Sequence, residues 1–164
     1  MTVVSYPSPE WLATSLKTYQ ATPAAQEELK KVSTTLFFRI GSDADWGIDK
    51  DLYFGAVMEK GQLLELAFAS QEDAKRRAEY IMGATPQVWK KVLTKESKAL
   101  TEMMLRHIVL EQGSMAAALG LMPYAPALID ALTKTELRFP DDMAPEERAE
   151  HRRSVRAFRA QLGV

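Results

Sequence analysis

Cysteine is absent from the 164 residues, and histidine occurs only at His107 and His151. The first absence excludes a disulfide framework, a thiol nucleophile and thiolate metal sites, and it points to an intracellular, cytoplasmic setting. The second leaves zinc without a ligand set, because structural sites need four N or S donors in most cases. Neither sign of charge prevails: 21 Lys and Arg against 22 Asp and Glu leave a net charge of −1. Domains that bind nucleic acid draw much of their affinity from neutralising phosphates, so a nucleic-acid partner is not expected. Long apolar runs are scarce too. The N-terminus lacks the basic stretch and apolar core of a signal peptide. Residues 115–129 form the longest uncharged stretch, shorter than the roughly 20 residues a spanning helix needs. Pro123 and Pro126 interrupt it, so stable membrane insertion is not expected and the chain reads as soluble.

What is present is ordinary globular material, 46% hydrophobic and 26% charged, enough for one core. A single domain is expected, with a core at about residues 8–139 and an extra amphipathic helix at 144–164. Ser8-Pro9-Glu10 is a helix start, with Trp11, Leu12, Leu16 and Tyr19 on one face. Thr22-Pro23 repeats the start, and Leu29 and Val32 are placed on that second helix. Residues 34–40 (TTLFFRI) alternate as a strand, with Leu36, Phe38 and Ile40 on one face. After a turn, Trp46-Gly47-Ile48 is read as a resumed strand, and residues 52–58 and 63–69 as a hairpin about Lys60-Gly61. Ser70 and Asp73 suggest a helix start; Ala74, Ala78, Ile81 and Met82 are read as its stripe and Gly83 as its stop. Thr85-Pro86 opens another helix bearing Val88, Trp89, Val92 and Leu93. Residues 105–111 read as one more strand, and residues 145–162 as the terminal helix with His151, Val155, Phe158 and Leu162 on one face.

Chemical motifs are mostly rejected. Asp43, Asp45, Asp49 and Asp51 do not keep EF-hand spacing, since Gly47 stands where an acid belongs and no Glu closes the loop. There is no phosphate-binding glycine loop, no nucleophile elbow and no HExxH pair. His107 is either a general base or a hydrogen-bonded structural residue; the second reading is favoured, and His151 is taken as a boundary residue. Glu65 is assigned to the outer sheet face because Leu64, Leu66 and Phe68 make the better inward set. The arginines at 148, 152, 153, 156 and 159 interleave with glutamates and read as a solvated face; phosphate, acidic lipid headgroups, the phosphates of coenzyme A or a protein partner are the alternatives. The stretch 115–129 has no polar face, so it must be buried on most sides or line something apolar.

The order of these elements resembles the type-two sterol carrier protein domain family. The resemblance rests on Phe37-Phe38-Arg39-Ile40 with Trp46-Gly47-Ile48-Asp49, on Tyr80-Ile81-Met82-Gly83, and on residues 106–113 followed by the apolar helix. It implies an α+β fold, a mainly antiparallel five-stranded sheet covered by helices, with an apolar tunnel between the layers. It also implies an apolar small-molecule ligand such as a lipid, fatty acid, acyl-CoA or sterol. No catalytic residue, metal or cofactor is carried over. An enzyme, or an enzyme's accessory component acting on an apolar substrate, is the competing reading. The expected cavity wall comprises Phe38, Trp46, Leu64 and Leu66 from the sheet. From the helices it takes Trp89, Met103, Met104, Leu119, Met122 and Leu128, with Pro123 and Pro126 beside a mobile entrance.

Overall fold

The computed structural model describes residues 3–164. Strand β1 (Val3–Ser5) leads into α1 (Pro9–Gln20), whose start follows the sequence signals: Ser8 Oγ accepts from the Trp11 amide and Pro9 occupies the first turn. The buried face of α1 carries Trp11, Leu12 and Tyr19. Helix α2 (Pro23–Glu28) is short, and Leu29 and Val32, expected on it, follow its end as buried residues.

The main sheet is built from β2 (Thr34–Ile40), β3 (Leu52–Glu59), β4 (Gln62–Ala69), β5 (Tyr80–Ala84) and β6 (Val109–Gln112). Its spatial order is β4-β3-β2-β5-β6, and every neighbouring pair is antiparallel except β2 with β5. The α+β fold with a five-stranded, mostly antiparallel sheet is therefore as the sequence implied. Helix α3 (Gln71–Arg77) connects β4 to β5, and α4 (Pro86–Leu93) and α5 (Ala99–Met104) connect β5 to β6. Beyond β6 come α6 (Met115–Leu121), a 3-10 turn (Met122–Tyr124) and α7 (Ala125–Leu132). Strand β7 (Glu136–Arg138) pairs in parallel with β1, and α8 (Pro145–Leu162) closes the chain.

The sheet has two apolar faces. Leu36, Ile40, Phe54, Leu66 and Met82 belong to the large core, which also includes Val155 and Phe158 of α8. Phe37, Tyr53, Ala69, Ala74 and Ile81 form a smaller core under α3.

Five strands were expected; one of them is a different segment, and another begins later than expected. Residues 46–48 are no strand: Ala44–Trp46 is a 3-10 turn, and Gly47 takes φ 74°. The Asp43 carboxylate accepts from the Asp45 amide there, so side-chain chemistry replaces strand pairing. Only the isolated bridge between Asp43 and Ile48 survives of that hairpin. Conversely, Tyr80–Ala84 is β5 and not a helix end. All five residues are buried, and a strand covered on both faces loses the alternation that would reveal it. Gly83 serves close approach there and does not stop a helix: a Cβ would lie 2.6 Å from the Arg39 guanidinium. Residues 105–108 form a turn before β6; Arg106 has φ 63°, and the Glu102 carbonyl accepts from the His107 and Ile108 amides.

Candidate functional site

A cavity of about 90 Å³ lies between the inner sheet face and the helices. Strand alternation puts Leu36 and Phe38 of β2, Phe54 and Met58 of β3, and Met82 of β5 on its floor. Trp11 enters from α1, and Trp89, Val92 and Leu93 from α4. The opposite wall is formed by Met103 of α5, Leu121 of α6, Met122 and Tyr124 of the 3-10 turn, and Leu128, Ile129 and Leu132 of α7.

The aromatic floor is organised by ring packing. Phe38 stacks on Phe54 at 5.0 Å between centroids, and Trp89 stands edge-on to Phe38 at 5.7 Å. Both cavity indoles have spent their donors: Trp11 Nε1 donates to the Leu132 carbonyl at 2.8 Å and Trp89 Nε1 to the Arg39 carbonyl at 2.9 Å. Among the described residues no charged side chain lines the cavity. Such a wall can hold a ligand by burial of apolar surface, at roughly 25 cal/mol per Å². Ligand pockets usually enclose roughly 300–1,000 Å³, so a large guest requires the walls to yield. Met58, Met82, Met103 and Met122 supply adaptable side chains for that.

Of the ten residues assigned to the wall from sequence, the structure brings Phe38, Trp89, Met103, Met122 and Leu128 together around the cavity. Leu64 is instead 51% exposed. A β-bulge sets Met58 opposite Leu63 and Val57 opposite Glu65, leaving Leu64 as the extra residue turned outward. Met104 and Leu119 are exposed on the outer faces of α5 and α6, at 72% and 39%. Trp46 and Leu66 are buried in the core but do not line the cavity; Trp46 packs on Tyr6 and Phe139. Sequence reasoning missed Tyr6, Phe54, Met58 and Met82. Phe54 and Met58 share parity along β3 and were there to be read, whereas Met82 was hidden by the mistaken helix.

The segment Met115–Leu132 is not buried on most sides: only 22% of it is buried. It lines the cavity along one edge and leaves Met115 and Leu119 exposed. By length and composition alone it passes as a membrane-spanning helix.

Around the site, Glu102 is a buried carboxylate, 2.6 Å from His107 Nδ1. Hydrogen bonds from His107 and Ser97 hold its carboxyl below the ordinary carboxylate value. His107 therefore sits beside α5 outside any strand, and half of its side chain is exposed. His151 is buried, and burial lowers its pKa against the opposing pull of Glu147. Glu65 faces outward as expected and pairs with Arg77 at 2.6 Å. The arginine stripe of α8 is not simply solvated. Arg156 pairs with Asp49 at 2.7 Å, Arg159 donates to the Lys50 and Asp51 carbonyls, and Arg152 donates to the Ala44 carbonyl. The helix thus grips the acidic loop through one ion pair and three backbone carbonyls, while the Asp43 carboxylate accepts from the Asp45 amide and Gln87 and the Asp51 carboxylate meets the Ser42 amide and Arg39. Among the described residues no group of three or more His, Asp or Glu is arranged to hold a metal ion.

No family model matches the chain, and no curated protein matches it in sequence. Solved structures do. A conserved hypothetical protein from Thermus thermophilus, suggested to be a sterol carrier protein, superposes with a TM-score of 0.71 at 16% identity, covering 80% of this chain and 90% of that one. A crystal structure of sterol carrier protein 2 gives 0.66 at 18% identity, covering 78% and 97%. The apo form of sterol carrier protein 2 from Yarrowia lipolytica gives 0.50 at 9% identity, covering 76% and 90%. The chain has the sterol carrier protein 2 fold.

Proposed function

We propose that this protein binds and carries an apolar small molecule of the lipid class in the cavity between its sheet and its helices. The observation that carries this reading is the wall itself: floor and roof are apolar, and no charged side chain is aimed inward. Apolar floors in ordinary cores are filled by side chains; here aromatic rings and four methionines leave open space beneath a thin helical cover. The likeness to proteins named as sterol carriers supports the same reading. Phe38, Trp89, Met103, Met122 and Leu128 are the wall residues proposed to touch the ligand, joined by Phe54, Met58 and Met82.

Native mass spectrometry of freshly purified protein, with organic extraction of whatever it holds, tests the proposal. A stoichiometric apolar molecule is the expected result. Protein that is empty, and that also ignores added fatty acids, acyl-CoA and sterols, overturns it.

A further inference from the structure

Two phenols interrupt the apolar wall, Tyr6 and the half-buried Tyr124, and Tyr6 is the deeply buried one. It lines the cavity, is 1% exposed, and its hydroxyl is buried without a hydrogen-bond partner. Trp11 and Phe139 hold the ring at centroid distances of 4.9 and 5.1 Å, and the Tyr6 amide is fixed by the Arg138 carbonyl. A buried phenol left unpaired is costly, and the usual remedy is a partner. Burial also drives its pKa far upward, so the group stays protonated and can donate. The Trp11 and Trp89 indoles are already committed to carbonyls, which leaves Tyr6 as the fully buried, uncommitted donor of this cavity among the described residues.

We infer that Tyr6 is a polar anchor, and that the ligand is a neutral apolar molecule presenting one hydroxyl or carbonyl oxygen to it inside the cavity, not a carboxylate. This rests on the carrier reading above and narrows its ligand class. A carboxylate at that depth would lose its hydration to a single neutral donor with no cation on the wall, which is prohibitive. A neutral oxygen loses far less and is satisfied by the one bond on offer. An acid could enter only with its charged end outside, where Tyr6 has no part in holding it.

The test uses the full chain, its tryptophan fluorescence, and three ten-carbon probes: decane, decanol and decanoate at neutral pH. The wild-type protein is expected to prefer decanol to decanoate. Tyr6→Phe is expected to melt no lower than the wild type, to weaken decanol about tenfold, and to leave decane and decanoate unchanged. If decane binds while decanol affinity is untouched by Tyr6→Phe, the anchor is wrong and the carrier reading stands. Tighter binding of decanoate than decanol by the wild type also overturns the neutral-ligand assignment, whatever the variant does. If none of the three binds, the anchor falls, and the carrier reading is then decided by the extraction and by added sterols and acyl-CoA.

Discussion

The two walls of the cavity are built from different materials. The floor is three neighbouring strands, β2, β3 and β5, tied by continuous ladders and carrying Phe38, Phe54 and Met82. The roof is α5, α6, the 3-10 turn and α7, none longer than eight residues, with Met104, Met115 and Leu119 left facing out. Short helices have little stability of their own and depend on packing. A rigid aromatic floor beneath a weakly held apolar roof gives a cavity that can widen on one side only. The carrier proposal then predicts that a guest enters by displacing the roof, while the floor keeps its shape.

The largest effect expected from this contrast is on stability. Phe54→Ala removes a floor ring that contacts Phe38 at 5.0 Å and Trp11 at 5.3 Å; it should cost about 3–5 kcal/mol. Met122→Ala on the half-buried roof should cost only about 1 kcal/mol, because less apolar area is at stake. Urea unfolding measures both. Equal losses would mean that the roof is as firmly integrated as the floor.

Next comes uptake. Met122→Glu places a charge on the wall and should abolish binding of an apolar probe in a variant that still folds. Leu119→Glu, which the sequence alone would have ranked with it, lies on the exposed side of α6 and should leave binding within about twofold. Fluorescent-probe titration separates them. Loss of binding in Leu119→Glu would place the ligand against the outer face.

A smaller effect is expected at Gly120, where an added Cβ meets nothing within 4 Å. Gly120→Ala should stiffen α6 and raise stability by roughly 0.5–1 kcal/mol. If the roof must move for entry, stopped-flow uptake should slow in the same variant. A stabilised protein with unchanged uptake would put the moving part elsewhere.

The floor was also the more legible wall, for physical reasons. The alternation in residues 34–40 told which side chains share a face, and Phe38 followed from it. Alternation failed at Leu64, because a bulge adds one residue and shifts the register beyond it, so that Leu63 is the buried residue and Leu64 the exposed one. It failed again at Met82, because a strand buried on both sides does not alternate. The roof offered only apolar composition. That signal found Met103, Met122 and Leu128, but it could not say that Met104 and Leu119 point outward. The clasp between α8 and the acidic loop was invisible too, since Asp49 and Arg156 are remote in sequence and each looked like ordinary surface charge.

The difference between the walls should finally appear as a difference in acid sensitivity. Glu102 on α5 is the roof's buried carboxylate, held ionised by His107 and Ser97. Its folded pKa lies below the ordinary 4.5, so its contribution is fully present above that value and is lost as pH falls through the depressed folded value. Protonation weakens the hydrogen bond from His107 and frees the turn that leads from α5 into β6, whose amides at His107 and Ile108 bond to the Glu102 carbonyl. The floor strands β2 and β3 carry no buried carboxylate. Hydrogen exchange, corrected for intrinsic rates and followed from pH 6 downward, should therefore show protection falling in residues 99–108 before it falls in β2 and β3. Glu102→Gln should lower that protection at pH 6 and remove its pH dependence. Simultaneous loss in roof and floor would mean that the two walls open as one cooperative unit, and that the roof owes its acid sensitivity to the global fold and not to Glu102.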